Sequence, residues 1–237
     1  MADELRAIGT VLVTGGASGL GAATARAVAD AGGRAVVLDR VPPPPEVKDA
    51  VTDFEVVDLA DARAAEAAVR AVADRVGGLD AVFTAAGTDR CGTLAEVPGE
   101  EWDRVVLVNL VGTAAVVRAA LPYLERTHGT VVTCASTLGL RALSDASAYC
   151  ASKFGVVGFS RALAVELQGT IGVTMLVPGG MHTAFFDDRD EKYKPPADVK
   201  LNRPEDVARA VLFALRQPPG CEVRELVVTP SRESSWP

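Results

Sequence analysis

Tyr149 and Lys153 are the residues whose types and spacing most directly suggest chemistry. They lie four residues apart in a segment with helical periodicity, so both side chains are expected on one helix face, about one turn apart. A free phenol has a pKa of about 10, too high to ionise readily at neutral pH, and a neighbouring ammonium favours the phenolate. The pair therefore predicts a general acid or base that moves a proton at an oxygen atom.

Two further polar residues could belong to the same site. Ser136 ends a predicted strand 13 residues before Tyr149, where its hydroxyl could hold a substrate oxygen beside the phenol. Asn109 lies inside a long predicted helix, where a buried amide needs a hydrogen-bonding partner. Each side chain alone also has an ordinary structural interpretation, as a strand-end hydroxyl or a packed polar group. The combination is what favours a catalytic site.

The stretch LVTGGASGLGAATARA, residues 12–27, joins a predicted strand to a predicted helix. Free N–H groups at a helix start, with the positive end of the helix dipole behind them, form an anion site that a pyrophosphate can approach only where no Cβ intervenes. Gly15, Gly19 and Gly21 meet that need. No Gly-Lys-Ser/Thr of a phosphate loop follows, and Leu20 stands where a hydrolase elbow needs glycine. A nucleotide is therefore predicted here.

Acidic residues at two predicted strand ends bear on which nucleotide binds. Asp39 lies 20 residues after Gly19, where a carboxylate can accept hydrogen bonds from the adenosine ribose hydroxyls. The same charge would repel a 2′-phosphate, so these residues favour NAD over NADP, with Arg40 as the one nearby argument for NADP. Asp58, at the end of the third strand, could hold the adenine edge or cap the following helix.

The elements that must position these residues alternate between short apolar runs and alanine-rich helical segments. This pattern is typical of β-α-β units and of a parallel sheet covered on both faces, so the expected fold class is α/β with a seven-stranded parallel sheet. The predicted strands are Thr10–Thr14, Ala35–Asp39, Phe54–Val57, Ala81–Ala85, Gly129–Ala135, Val173–Val177 and Leu226–Thr229. The predicted helices are Leu20–Ala31, Ala62–Val76, Glu101–Arg126, Ala148–Gln168 and Pro204–Arg216.

Two segments interrupt this alternation. Pro42–Pro45 leaves room for at most a short helical turn. Residues 181–201 mix aromatic, charged and proline residues without a clear period, and loops of this length in compact domains are commonly functional. We interpret 181–201 as a substrate lid that lines a pocket together with Leu138–Leu143 and Cys91. Because no linker or repeat divides the chain, residues 1–237 are expected to form a single domain.

Composition and charge disfavour several classes of protein. A net charge of −7 has the wrong sign for nucleic acid or anionic lipid. No apolar run approaches the ~20 residues of a membrane span, and residues 1–8 lack the apolar centre of a secretion signal, so a cytoplasmic protein is expected. The four cysteines are widely spaced, and His128 and His182 form no cluster, so no metal is expected. His182 could contact substrate or be an exposed loop imidazole.

From about Thr10 to Val228 the chain resembles the short-chain dehydrogenase/reductase family. One departure is Thr84-Ala85-Ala86-Gly87, where that family commonly has Asn-Asn-Ala-Gly, so amides that help to tie the sheet together are missing. The resemblance rests on the ordered motifs Thr14-Gly15-Gly16-Ala17-Ser18-Gly19-Leu20-Gly21, Asp58, Ala85-Ala86-Gly87, Asn109, Ser136, Tyr149-Cys150-Ala151-Ser152-Lys153 and Pro178-Gly179.

The resemblance implies a doubly wound Rossmann-type fold, a three-layer α/β/α sandwich with helices on both faces of the sheet. It implies that Tyr149 is the general acid or base, that Ser136 orients the substrate oxygen, and that Lys153 also holds the nicotinamide ribose. Asn109 would bind a water that connects the lysine to solvent. Thr183 would meet the nicotinamide carboxamide and the pyrophosphate. Relatives of this kind are homo-oligomers, so a tetramer or a dimer is expected.

The cofactor-binding residues expected from the motifs and the resemblance line one dinucleotide site. They are Gly15, Ser18, Gly19, Leu20, Gly21, Asp39, Arg40, Asp58, Leu59, Ala85, Ala86, Gly87, Tyr149, Lys153, Pro178, Gly179 and Thr183.

The leading hypothesis is an NAD-dependent oxidoreductase that interconverts a secondary alcohol and a ketone by hydride transfer. One alternative is a carbonyl reductase that uses NADP(H). Another is a dinucleotide-sensing protein without chemistry, for which a damaged Tyr-x-x-x-Lys would be expected. A sugar-nucleotide epimerase shares the tyrosine and lysine, but 237 residues leave no room for its C-terminal substrate domain.

Overall fold

Seven parallel strands form one sheet in the order β3-β2-β1-β4-β5-β6-β7. The computed structural model describes residues 5–218, 220–233 and 235. The strands are β1 Thr10–Thr14, β2 Arg34–Asp39, β3 Val51–Val56, β4 Ala81–Thr84, β5 Thr130–Cys134, β6 Gly172–Pro178 and β7 Glu225–Val228. The α/β class and the seven-stranded parallel sheet expected from the sequence are confirmed.

Helices cover both faces of the sheet, as the three-layer prediction requires. Helices α1 and α7 pack on one face, where Val11, Val13 and Val37 belong to one apolar cluster. Helices α3, α5 and α6 pack on the other, where Leu12 and Val36 belong to a second cluster. Successive residues of a strand therefore pack against opposite helical layers, and the residues on both faces of the sheet are apolar. The helices are α1 Gly19–Asp30, α2 Pro45–Lys48, α3 Ala62–Val76, α4 Gly99–Val106, α5 Thr113–Thr127, α6 Ser147–Glu166 and α7 Pro204–Leu215.

The edge strand β3 starts three residues earlier than predicted, at Val51 instead of Phe54. Its residues alternate between partly buried and exposed because only one neighbouring strand and few helices cover it. The prediction looked for a continuous apolar run, which an edge strand does not need. Before it, Pro45 opens the one-turn helix α2, in agreement with the short helical turn expected after the prolines.

The predicted helix Glu101–Arg126 is not a regular α-helix. A π-helical turn over Leu107–Gly112 separates α4 from α5 and contains Asn109. Within the described part of the chain, the helical stretch 99–127 is long and apolar enough to cross a membrane, which the sequence analysis did not expect. Because 56% of its most apolar part is buried against the rest of the protein, this stretch is a core helix.

The order of the strands reverses between β1 and β4, the two central neighbours. In open parallel sheets, ligands bind in the crevice outside the carboxyl ends of the strands at such a switch point. Here the loops after the two strands meet, since a Cβ on Gly15 would lie 2.8 Å from the Cα of Ala86. Ala86 N also donates a 3.1 Å hydrogen bond to Oγ1 of Thr14. The fold therefore places the candidate site at this crevice.

Candidate active site

A cleft of about 870 Å³ opens at the carboxyl ends of the strands. Its lining includes the seventeen cofactor residues expected from the sequence, together with Ser136. Asn109 is the one predicted site residue outside this lining. The substrate part of the cleft is lined by Leu138, Leu143, Cys91 and much of segment 181–201, as predicted for the lid.

The glycine-rich loop forms a cradle that side chains would fill. Gly15 has a φ of +67°, and a Cβ on Gly21 would overlap the carbonyl oxygen of Gly15. Ser18 precedes helix α1, but its side chain does not cap the helix, and the first turn contains no acidic residue. The positive end of a 12-residue helix therefore faces the cleft without an internal anion. These features fit the pyrophosphate of a dinucleotide.

Asp39 lies beside this cradle at the end of β2. Its Oδ2 accepts a 2.9 Å hydrogen bond from Ala17 N, and its Oδ1 accepts a 3.3 Å hydrogen bond from Val41 N. The carboxylate thus holds the glycine-rich loop while lining the cleft, and the guanidinium-bearing Arg40 lines it as well. Both groups therefore line the cleft beside the cradle.

Asp58 also lines the cleft, but it does not cap the following helix. The N-cap of α3 is Asp61, whose Oδ1 accepts from two backbone N–H groups of the first turn. Asp58 instead accepts a 2.9 Å bond from Ala60 N and pairs with Arg104 at 2.8 Å. Burial raises its pKa, but these two bonds outweigh burial and leave the pKa below its usual value. Of the two predicted roles, capping is wrong, because Asp61 starts the helix.

Tyr149 and Lys153 lie on the first turns of α6, as their spacing predicts. The Ser136 side chain lies near Tyr149 and lowers the pKa of its hydroxyl, and Ser136 Oγ accepts a 3.1 Å bond from Leu138 N. Lys153 is buried, and its Nζ lies 5.6 Å from the centre of the Tyr149 ring. The same Nζ donates a 2.8 Å hydrogen bond to the carbonyl oxygen of Cys134. Strand β5 and helix α6 thus bring the three side chains together.

The pKa of Tyr149 moves in the opposite direction from the sequence-based expectation. Burial is the largest influence and raises this pKa, while the hydrogen bond from Ser136 lowers it only in part. Burial also lowers the pKa of Lys153, because a charged amine loses water when it is enclosed. The expected depression of the phenol pKa by Lys153 is therefore wrong for the protein without a bound dinucleotide.

Asn109 connects the loop after β4 to helix α6. Its Nδ2 donates to the carbonyl oxygen of Thr88 at 2.9 Å and to Ser152 Oγ at 3.0 Å, and its Oδ1 accepts from Thr88 N at 2.8 Å. Ser152 Oγ in turn donates to the carbonyl oxygen of Tyr149 at 2.8 Å. These partners satisfy the hydrogen-bonding capacity of the Asn109 amide, so it can be buried without a free polar atom. The water-binding role implied by the resemblance stays a prediction.

The chain after β7 also reaches the cleft, which the sequence analysis missed. Glu233 Oε2 accepts a 2.9 Å hydrogen bond from Gly180 N, next to the predicted pair 178–179. Ser235 is buried and lies 2.7 Å from the hydroxyl of Thr137, the neighbour of Ser136. Glu233 and Ser235 are themselves joined by a 2.7 Å bond. No sequence spacing could have indicated these contacts, which join residues 53 and 98 positions apart.

Segment 181–201 closes the cleft with two 3-10 turns, Ala184–Phe186 and Glu191–Tyr193. Thr183 precedes the first turn, and a Cβ on Gly19 would lie 3.4 Å from its Cγ2, so Thr183 lies beside the cradle. Its contact with the nicotinamide carboxamide and the pyrophosphate stays a prediction. The Phe185 ring lies 5.8 Å from the Tyr149 ring. His182 is exposed and does not line the cleft, as in the loop interpretation of that residue.

The departure at residues 84–87 has a local consequence. Thr84 Oγ1 is buried without a hydrogen-bonding partner among the described residues. The backbone nearby is held instead by Thr14 and by Asn109.

Among residues 5–218, 220–233 and 235, no group of three or more His, Cys, Asp or Glu side chains is arranged to hold a metal ion.

Comparison with known proteins identifies the family of the chain. Residues 9–194 match the family model described as short chain dehydrogenase. D-Threitol dehydrogenase from Mycolicibacterium smegmatis is 35% identical over 217 residues, 85% of this chain and 84% of that protein. The 3-oxoacyl-[acyl-carrier-protein] reductase FabG from Thermotoga maritima is 30% identical over 216 residues, 85% of this chain and 88% of that protein.

The fold is shared with solved structures as well. An alcohol dehydrogenase from the archaeon Thermococcus sibiricus, complexed with 5-hydroxy-NADP, superposes with a TM-score of 0.84 at 25% identity, over 94% of this chain and 96% of that one. A family model that matches most of the chain, and relatives that align over most of their own length, lead to one conclusion. The chain belongs to the short-chain dehydrogenase family and is an oxidoreductase acting on CH–OH or carbonyl groups.

Proposed function

We propose that the protein is an NAD-dependent dehydrogenase that interconverts a secondary alcohol and a ketone, with Tyr149 as the general acid or base. The observation that carries this proposal is that Tyr149 and Ser136 line the same cleft, with the Nζ of the buried Lys153 5.6 Å from the centre of the Tyr149 ring. The named relatives support it, because one acts on a polyol and another reduces a 3-oxoacyl group.

A dinucleotide held by the cradle would supply the hydride-transfer chemistry at the carbinol or ketone carbon. During oxidation the phenolate oxygen of Tyr149 takes the hydroxyl proton as the C=O bond forms, and during reduction the phenol returns that proton. Ser136 holds the reacting oxygen beside the phenol. Lys153 would bind the nicotinamide ribose and stabilise the phenolate once formed. Asn109 would support proton transfer to solvent through a bound water.

The proposed preference for NAD rests on Asp39. Its carboxylate, fixed to Ala17 N, would accept the ribose hydroxyls and repel a 2′-phosphate. The second candidate is an NADP(H)-using carbonyl reductase, which Arg40 favours because it lines the cleft directly after Asp39. The dinucleotide in the Thermococcus sibiricus structure is an NADP derivative, so cofactor titration with both nucleotides is part of the test.

Substitution of Tyr149 by Phe tests the proposal. We expect turnover to fall by roughly 10²- to 10⁴-fold, the usual contribution of a general acid or base, while NADH binding measured by fluorescence stays close to that of the wild type. Near-normal turnover would overturn the role of Tyr149. A wild-type protein that binds the cofactor tightly but turns over no alcohol or ketone would instead be a dinucleotide sensor.

The remaining proposals concern the cellular setting. We propose a small-molecule substrate, no nucleic-acid or membrane partner, a cytoplasmic location and a homo-oligomer, either a tetramer or a dimer. Light scattering coupled to gel filtration measures the oligomeric state, and cell fractionation measures the location.

A further inference from the structure

A buried ion pair lies in the substrate half of the cleft and belongs to none of the roles above. Arg189 Nη2 and Asp89 Oδ2 are 2.6 Å apart, although the two residues are a hundred positions apart in the chain. The Asp89 side chain is 5% exposed and that of Arg189 is 18% exposed. Asp89 comes from the loop after β4 and Arg189 from segment 181–201, so the pair joins the floor of the cleft to its lid.

The ion pair is close to the reacting group. The Phe185 ring contacts the Tyr149 ring, and the Arg189 guanidinium lies 5.1 Å from the centre of the Phe185 ring and 4.6 Å from that of Phe186. Both charges act on the phenol, because Asp89 raises the pKa of Tyr149 and Arg189 lowers it. A small substrate held at Tyr149 would therefore extend toward this pair.

The pair does not satisfy its own hydrogen-bonding capacity. Asp89 Oδ2 accepts from Arg189 Nη2 and from Cys91 Sγ, the latter at 3.3 Å, and burial helps to raise the pKa of Cys91 to about 11, so its thiol stays a donor. Asp89 Oδ1 and Arg189 Nε are both buried, and neither has a partner among the described residues. Buried polar atoms without partners destabilise a protein unless a ligand or water completes them.

An acceptor and a donor of the same ion pair, each buried without a partner, indicate the chemistry of the missing group. A hydroxyl can donate to Oδ1 and accept from Nε at once. A carboxylate would be repelled by Asp89, and an alkyl group would leave both atoms unpaired. The opposite charges of the pair also cancel, so the site offers no net attraction to an ion.

Resting on the proposed function, we propose that Asp89 and Arg189 select substrates that carry a further hydroxyl beside the reacting carbinol, that is, diols, polyols and the corresponding hydroxyketones. Because both unpaired atoms are covered in this structure, segment 181–201 must shift to admit the substrate. Closure over a bound hydroxyl then gives both atoms their partners.

A matched panel of four-carbon alcohols tests this inference on the wild-type enzyme, with NAD⁺ and with NADP⁺. The panel contains both enantiomers of butan-2-ol, the stereoisomers of butane-2,3-diol, the four-carbon tetrols and both enantiomers of 3-hydroxybutyrate. We expect kcat/KM for the best diol or tetrol to exceed that for butan-2-ol by at least about 10²-fold, because sites built to bond a hydroxyl strongly reject analogues that lack it.

Variants of the pair supply a second measurement. Arg189→Lys keeps the charge pairing but removes the Nε donor, and Asp89→Asn removes the charge. We expect each to reduce the preference for the diol over butan-2-ol by about tenfold or more, whereas simple loosening of the lid would lower both rates together. Asp187→Asn is the matched control, because this exposed carboxylate lies in the same segment outside the cleft lining. It should leave the preference unchanged.

The outcomes separate the two proposals. Equal turnover of butan-2-ol and the diols, or a preference for 3-hydroxybutyrate, would overturn the selection of hydroxyl-bearing substrates and leave the dehydrogenase assignment intact. Failure to oxidise any alcohol, or to reduce any matching ketone, with cofactor bound would overturn the dehydrogenase assignment itself.

Discussion

Lys153 Nζ donates a 2.8 Å hydrogen bond to the carbonyl oxygen of Cys134 and lies 5.6 Å from the centre of the Tyr149 ring. The Lys153 amine is therefore fixed at the end of β5, beside the Tyr149 ring in the wall of the cleft. Enclosure raises the pKa of Tyr149 and lowers that of Lys153, so it favours the uncharged form of both groups. The pH dependence of proton transfer at the phenol should therefore reflect the raised pKa of Tyr149.

The pH dependence of the two reaction directions should differ. Because the pKa of Tyr149 is raised, the phenol is protonated at neutral pH, which suits reduction and limits oxidation. We expect kcat/KM for oxidation to rise about tenfold per pH unit between about pH 6 and pH 9, and kcat/KM for reduction to change little. Ser136→Ala removes a bond that lowers the pKa of Tyr149, so the rise should move to higher pH. An oxidation rate independent of pH would contradict this assignment.

Removal of the Asn109 side chain should destabilise the protein. Asn109→Ala breaks three hydrogen bonds and leaves both backbone groups of Thr88 without those partners. We expect the free energy of unfolding in urea to fall by about 1–3 kcal/mol. Asn202→Ala is the control, because that amide donates only a 3.4 Å bond to Val228 O. Equal losses in the two variants would contradict the positioning role of Asn109.

Asp39→Ala should weaken the discrimination between the two nucleotides. Loss of the carboxylate removes the predicted ribose acceptor and the repulsion of a 2′-phosphate, so the ratio of kcat/KM for NAD⁺ to that for NADP⁺ should fall by about tenfold or more, the equivalent of about 1.4 kcal/mol. Asp49→Ala removes an exposed carboxylate at the end of α2 and should leave the ratio unchanged. An unchanged ratio in the Asp39 variant would contradict the proposed role of Asp39 in binding the adenosine ribose.

A side chain at Gly15 should disrupt the cradle. Gly15→Ala forces a Cβ to within 2.8 Å of Ala86 Cα at a φ of +67°, so we expect a loss of about 1–3 kcal/mol in the free energy of unfolding and weaker NADH binding. Gly158→Ala is the matched control, since this exposed glycine lies in α6 with open space around it. That change should stabilise the protein by about 0.5–1 kcal/mol. Thermal melts and fluorescence titration distinguish the two results.

The central sheet could be predicted from sequence because buried parallel strands must be apolar on both faces, as Leu12 and Val13 illustrate. The cradle could be predicted because a turn that leaves β1 at a positive φ needs glycine. Strand β3 was harder, because an edge strand alternates and its first residues, from Val51, resemble a loop. The π-helical turn at Asn109 could not be predicted, because a regular α-helix would show the same pattern of apolar residues.

Other features depend on the assembled tertiary structure. The ion pair between Asp89 and Arg189 joins residues a hundred positions apart, so no spacing rule predicts it. The direction of the pKa shift at Tyr149 depends on how much water the folded cleft removes, and the sequence shows only the neighbouring ammonium. The sequence therefore predicted which groups could react, and their electrostatic environment depends on the folded structure.

The hydrogen bonds that join Gly180 N to the Glu233 carboxylate and Thr137 to Ser235 have a practical consequence for anyone who purifies this enzyme. An affinity tag at the carboxyl end would disturb a segment whose hydrogen bonds hold two walls of the cleft. A tag at the amino end should leave both walls undisturbed, because within the described part of the chain the side chain of Arg6 bonds to Thr127 O away from the cleft. Amino-terminal tagging, or removal of a carboxyl-terminal tag before assay, is therefore the appropriate design for kinetic work.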